Sequence, residues 1–236
     1  LLNLGNFMPS LLAIILVIST RKKEKVLGMI SRVFKLRFSI FWYLFAICLM
    51  PAILGMAYLT TNFMIGLEFK SLLLPIILPD LWPLIPLVGY FIAVQGPLGE
   101  ELGWRGYALP KLFQLFNPFK SSMILGIVWA IWHFPKFFLD GPIQFELADA
   151  YGVMMALAGY TLYTILLTLM ITLLFVKTNG SVWAAMLFHA MSNFSHGLVT
   201  ILLDTTGAIS MLALMILFTF LMAVRNKELY FKQLIV

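Results

Sequence analysis

The sequence predicts an all-α, polytopic transmembrane bundle, and three observations carry that prediction. Of 236 residues, 62% are hydrophobic and only 11% are charged, against roughly 25% charged residues in a soluble domain. The mean hydropathy is +0.99. Apolar runs approaching the ~20 residues that cross a bilayer recur along the whole chain.

Taken in order, those runs cover residues 4–19, 40–59, 81–109, 121–139, 151–176, 182–203 and 207–224, about seven spans. Residues 71–86 are apolar but contain Pro75, Pro79, Pro83, Pro86 and Asp80, which would break a continuous helix. The first half of that stretch is expected to be a re-entrant or interfacial piece. The chain begins at Leu1 and enters an apolar run at once, so further residues, and with them an eighth helix, are expected upstream. No soluble domain, repeat or low-complexity tail interrupts the pattern, which reads as a single integral-membrane domain over residues 1–236. Cys48 is the sole cysteine, so neither a disulfide framework nor a cysteine metal site is available.

Loop charges set an expected orientation. Arg21, Lys22, Lys23, Lys25, Arg32, Lys35 and Arg37 oppose only Glu24 between the first two spans, which marks that loop as cytoplasmic. Alternating from there, Lys111, Lys120, Lys177, Arg225, Lys227 and Lys232 fall inside, while Asp140, Glu146, Asp149 and Asp204 fall outside. The net charge of +6 is then anchoring and attraction to anionic lipid, and no nucleic-acid partner is expected.

Against this background the string GEELGWRGY, residues 99–107, stands out. Ionisable groups at membrane depth cost several kcal/mol unless they pair or face a wet cavity, so they mark function. Glu101 and Arg105 form an i,i+4 pair with the acid on the N-terminal side, the better orientation for a helical ion pair. Glu100 is rotated by about 100° from Glu101, needs its own environment, and is the candidate general base. His133 lies in WAIWHFPKF, one turn after Trp129 and two residues before Pro135, where a bend is expected. His189 and Asn193, in LFHAMSN, share a helix face, and His196 is seven residues beyond His189. Together these are the parts for activating water and stabilising an oxyanion. Neither HExxH nor GxSxG occurs, so the helical zinc signature and a serine elbow are both missing.

EExxxR at Glu100, Glu101 and Arg105, aromatic-xxx-His at Trp129 and His133, and HxxxN at His189 and Asn193 resemble, as a set, the CPBP family of intramembrane peptidases. That family includes CAAX prenyl endopeptidases and bacteriocin-processing or immunity proteins. The likeness is carried by residues 97–193, within a motif-bearing core at 97–196, and has the look of bacterial or archaeal members. It implies about eight helical spans around a cavity open to the cytoplasm, with Glu100 and His133 activating water, His189 and Asn193 stabilising the oxyanion, and Glu101 with Arg105 supporting the site. Trp129 departs from the family pattern, which usually has Phe, and is expected to narrow the cavity without altering the chemistry.

Family members are commonly described as metalloproteases, and Glu100, His133 and His189 would suffice as a zinc shell. Spacing does not choose between zinc and a metal-free glutamate peptidase. Arg105, a fixed cation beside the carboxylates, tips the expectation slightly toward the metal-free form. The expected partners are the bilayer and a peptide or membrane-protein substrate, with or without a lipid attached. Two other classes stay open at this point: a non-catalytic immunity or regulatory protein of the same fold, and a proton-coupled transporter, although no inverted repeat of broken helices is visible.

Overall fold

The computed structural model describes residues 5–19, 23–66, 68, 70–80, 82–94 and 96–233, and every regular element among them is helical. In chain order these are α1 (Met8–Ser19), α2 (Lys23–Ser31), α3 (Ile40–Ile65), α4 (Leu84–Ala93), α5 (Pro97–Gly103), α6 (Pro118–His133), α7 (Ile143–Tyr151), α8 (Val153–Lys177), α9 (Val182–Leu198), α10 (Thr205–Arg225) and α11 (Lys227–Phe231). Helix α5 continues through a π-helical turn, Trp104–Ala108, into Leu109–Phe113. The expected span starts at residues 4 and 81, and the loop charges Arg21 and Lys22, lie outside the described residues.

The helical membrane bundle is present, but its crossings are less uniform than the apolar runs. Helices α3, α8 and α10 are long and apolar enough to span a bilayer. A fourth candidate is a bent pair, in which α6 and its 3-10 extension Phe134–Phe138 meet α7 at 77°. Helices α1 and α9 have 12 and 17 residues. The apolar run over 81–109 divides into α4 and α5 because Gly96 adopts φ +110°, a conformation open chiefly to glycine. Pro97, which lacks an N–H, then restarts the helix at its first turn. The α-helical part of α6 ends at His133 because Pro135 has no N–H to donate to Ile131 O, which instead accepts from Phe134 N–H in a 3-10 turn. In the proline-rich stretch only Leu74–Ile77 is helical, and it docks on the end of α9, where Leu72 and Leu73 N–H donate to Gly197 O at 2.9 and 3.2 Å.

Helix α8 is the centre of the bundle. Its apolar window is 61% buried, against 28% for α3 and 22% for α10. Between apolar helices in lipid, association depends on close van der Waals fit and hydrogen bonds rather than on hydrophobic burial. The α6–α8 interface has both. A Cβ built on Gly126 would lie 2.6 Å from Ile165 Cα, so the backbones touch. Thr164 donates to Gly126 O at 3.0 Å and Ser122 donates to Thr172 Oγ1 at 2.8 Å. The apolar core lies on the other side of α8, where Met50, Ile53 and Leu54 of α3 meet Leu167, Met170 and Ile171 of α8 and Phe188 of α9.

Helix α1 lies on α5 through another glycine contact. A Cβ on Gly99 would stand 2.5 Å from Asn6 O, and one on Gly103 would overlap Pro9 O, so this face of α5 admits no side chain. Caps define several starts: Asn117 accepts from Lys120 N–H at 2.9 Å, Ser181 from Ala184 N–H at 3.1 Å and Asp204 from Gly207 N–H at 2.8 Å.

The α6–α8 contact generates a test. Replacing Gly126 with Ala is expected to destabilise the bundle by about 1–3 kcal/mol, and Gly126→Val by more, measured as thermal unfolding in detergent. Unchanged melting of the valine variant would show that the helices are not in backbone contact there.

Candidate active site

The GEELG string has two opposed tasks. Gly99 and Gly103, four residues apart, lie flush against α1, which turns the intervening Glu100 and Glu101 inward, where both are buried. The π-helical turn begins directly after, at Trp104, and carries Arg105. Such turns widen a helix locally and recur at functional sites.

Glu101 is the ionic junction. Its Oε1 accepts from Arg105 Nη1 at 2.8 Å and from His189 Nδ1 at 2.9 Å, so one oxygen ties α5 to α9. Arg105 has no solvent exposure. Its Nη2 donates to Thr168 Oγ1 of α8 at 3.3 Å, and its guanidinium carbon lies 4.7 Å from the centre of the Trp129 ring, a cation–π contact. Four helices therefore meet at one ion pair.

Glu100 faces elsewhere. Its Oε2 accepts from the indole N–H of Trp129 at 2.7 Å. Its Oε1 stands where a Gly96 side chain would be, since a Cβ there would overlap it. Lys136, one 3-10 turn after His133, donates to Asn6 Oδ1 at 2.9 Å and lies within electrostatic reach of Glu100.

The histidine tautomers follow from their partners. His133 Nδ1 is 2.9 Å from Trp129 O, and a carbonyl only accepts, so Nδ1 carries the proton and Nε2 presents a lone pair. His189 Nδ1 faces the Glu101 carboxylate, with the same consequence for a neutral ring. Trp129 is the common neighbour: its ring centre lies 6.0 Å from that of His133 and 5.0 Å from that of His189. Asn193, one turn beyond His189 on α9, is half-buried. His196 belongs to a separate tyrosine cluster, its Nε2 3.2 Å from Tyr163 OH, which also bonds Ser192 Oγ at 2.8 Å. Tyr160 links the two regions, its ring 5.3 Å from that of His133 and 5.9 Å from that of Tyr163, and it accepts from Gln144 at 2.9 Å.

The residues proposed for zinc do not fit that ion as arranged. Among the described residues, no three His, Cys, Asp or Glu side chains are gathered in a metal-binding group. One oxygen of Glu100 is taken by the indole; the Nδ1 bonds of His133 and His189 are of the kind that orient ligating imidazoles and leave Nε2 free, so the misfit lies in the groups not being gathered around one point.

Several contributors escape motif reading. Thr168 belongs to a run of threonines at 161, 164, 168 and 172 whose spacing on one helical face was a usable signal. Gly99 and Gly103 form a small-xxx-small pattern hidden inside the acidic motif. Gly96 and the indole N–H of Trp129 gave no pattern at all, because their importance is a matter of side-chain direction.

A family model described as Type II CAAX prenyl endopeptidase Rce1-like matches residues 81–195. CAAX prenyl protease 2 of Methanococcus maripaludis is 26% identical over 248 residues, an alignment covering 98% of this chain and 83% of that protein.

Two substitutions test the geometry. Glu101→Gln leaves Arg105 buried without its countercharge and is expected to lower stability by about 3–5 kcal/mol, read from thermal unfolding in detergent. Gly96→Ala drives a methyl group into Glu100 and is expected to reduce turnover roughly 10²-fold, with unchanged turnover arguing that Gly96 does not set the Glu100 position.

Proposed function

We propose that this chain, which belongs to the CPBP family of intramembrane peptidases, hydrolyses a peptide bond of a membrane-associated protein or peptide using water activated by Glu100. The observation that carries this reading is the convergence on Trp129 of Glu100, Arg105, His133 and His189, groups drawn from three separate stretches of sequence and brought together in an apolar bundle.

The chemistry proceeds in two steps. Glu100 accepts a proton from water while the oxygen attacks the scissile carbonyl carbon, and the carbonyl π pair moves onto oxygen. His133, through its Nε2 lone pair, accepts the second O–H of the water and orients it. His189, as an imidazolium that donates Nδ1–H to Glu101 and Nε2–H to substrate, and Asn193, through its amide, donate to the oxyanion. The tetrahedral intermediate then collapses, the C–N bond breaks and the leaving amine takes the proton held by Glu100. Carboxyl and amine products leave, and the carboxylate is regenerated. Glu101 and Arg105 keep His189 in place without touching substrate.

The protein is an integral membrane protease. Beyond that, the loop charges favour a multi-pass arrangement in a prokaryotic plasma membrane, basic loops cytoplasmic, with the whole chain as one membrane domain. The archaeal relative's designation as a prenyl protease supports a lipidated peptide as substrate class. An isoprenoid chain would partition beside the bundle and raise the local concentration of the attached peptide.

Reconstituted protein is expected to cleave a fluorogenic peptide drawn from a library with and without an isoprenyl group, and Glu100→Ala and His189→Ala to lose roughly 10²-fold or more of that activity. Equal cleavage by all three proteins, or none by wild type across the library, would sink the peptidase reading. Exhaustive chelation is expected to leave the wild-type rate unchanged; a loss restored by zinc would replace the metal-free scheme.

A further inference from the structure

Trp129 makes four contacts in the site, and three of them need only an aromatic ring. The Arg105 guanidinium lies over its face at 4.7 Å, and His133 and His189 pack at ring separations of 6.0 and 5.0 Å. Phenylalanine, the residue usual at this place in the pattern that the chain resembles, would satisfy all three. The fourth contact requires indole. Nε1–H donates to Glu100 Oε2 at 2.7 Å, with both side chains buried, and a donor at this distance from an ionised acceptor is a charge-assisted bond.

We propose that Trp129 is a positioning residue for Glu100: its indole N–H ties down Oε2 and thereby makes Oε1 the oxygen that receives the proton of water. This rests on the reading of Glu100 as base and adds the means by which its two oxygens become unequal. The other constraints on the carboxylate are steric at Gly96 and electrostatic from His133, His189 and Lys136. Without the N–H, the carboxyl group is free to turn about its last side-chain bond, and the two oxygens exchange roles. The tether also fixes a relation between helices, since Trp129 on α6 sits one turn before His133 and carries the same carbonyl that holds His133 Nδ1. One residue therefore sets the direction of the base through its side chain and of the neighbouring imidazole through its backbone.

The test replaces Trp129 with Phe, which keeps a ring, and with 3-benzothienylalanine, which keeps indole's shape and loses only the N–H. Both are expected to lower kcat roughly 10- to 100-fold, the worth of a hydrogen bond to a charged group, with KM within about twofold because no substrate contact is removed. The indole hydrogen-bonding band in ultraviolet resonance Raman spectra, isolated by subtracting the spectrum of the Trp129→Phe variant, is expected to report a strong bond in wild type and a weak one in Glu100→Ala. A benzothienyl variant with wild-type kcat would overturn the proposal and assign Trp129 to packing. An indole band unaltered by Glu100→Ala would overturn it independently of activity. Full activity in Glu100→Gln would instead remove the underlying assignment of the base, leaving the spectroscopic result to decide whether the bond exists.

Discussion

A buried ion pair governs this fold. Desolvating a carboxylate and a guanidinium costs several kcal/mol each even after relaxation, and only good geometry with additional hydrogen bonds offsets it. Glu101 and Arg105 meet that requirement in part by drawing in other elements: His189 from α9, Thr168 from α8 and the Trp129 face from α6, while Glu101 Oε2 and Arg105 Nε stay buried without a hydrogen-bond partner among the described residues. Breaking any of these contacts leaves charge in an apolar interior, so the pair acts as a registry device that admits few relative placements of four helices. The surrounding apolar packing is less selective, since leucine and methionine side chains tolerate exchange at similar volume.

The same segment solves a second problem on its opposite face. Helix α5 must bring two carboxylates inward while α1 covers its outer side, and a residue with any side chain at 99 or 103 would hold α1 away. The alternation of glycine and glutamate in GEELG is thus one constraint read from two sides: close backbone approach outward, charge inward. The π-helical turn that follows shifts the register at Arg105, so the i,i+4 spacing of the ion pair is kept while the helix beyond it is rotated.

Composition and hydropathy made the helical membrane class legible, because 62% hydrophobic residues leave few alternatives. Helix α8, with no proline and no charge before its last residue, emerged at 153–177 from an expected 151–176. Hydropathy was a poor guide wherever an apolar run contains a backbone breaker: Gly96 and Pro97 divide one run into two helices, and Pro135 ends the α-helical part of another at His133. These residues are as compatible with lipid as their neighbours, so a hydropathy window passes over them. The charged and imidazole residues of the site were legible because such groups are rare in this composition. The Gly96 cradle was not, since glycine is common in membrane helices for unrelated reasons, and the threonine stripe that includes Thr168 marks a face of α8 without naming Arg105 as its partner.

Adjacent carboxylates of identical chemistry acquire different work through what surrounds them. Glu101 is met by a fixed cation and an imidazole, and both approach the same oxygen; its charge is consumed in holding helices and in orienting His189. Glu100, one residue away and on another face, is met by a neutral donor, which fixes direction without neutralising charge. A guanidinium in place of that donor would bind the carboxylate more strongly and make it a weaker base. A phenyl ring would leave the charge but not the aim. Indole lies between these limits, and its position on α6, one turn before His133, means that the helix delivering the donor also delivers the imidazole. In the proposed mechanism the separation of support from reactivity therefore follows from side-chain direction on two helices, and the acidic pair in the sequence is the trace of that division rather than its cause.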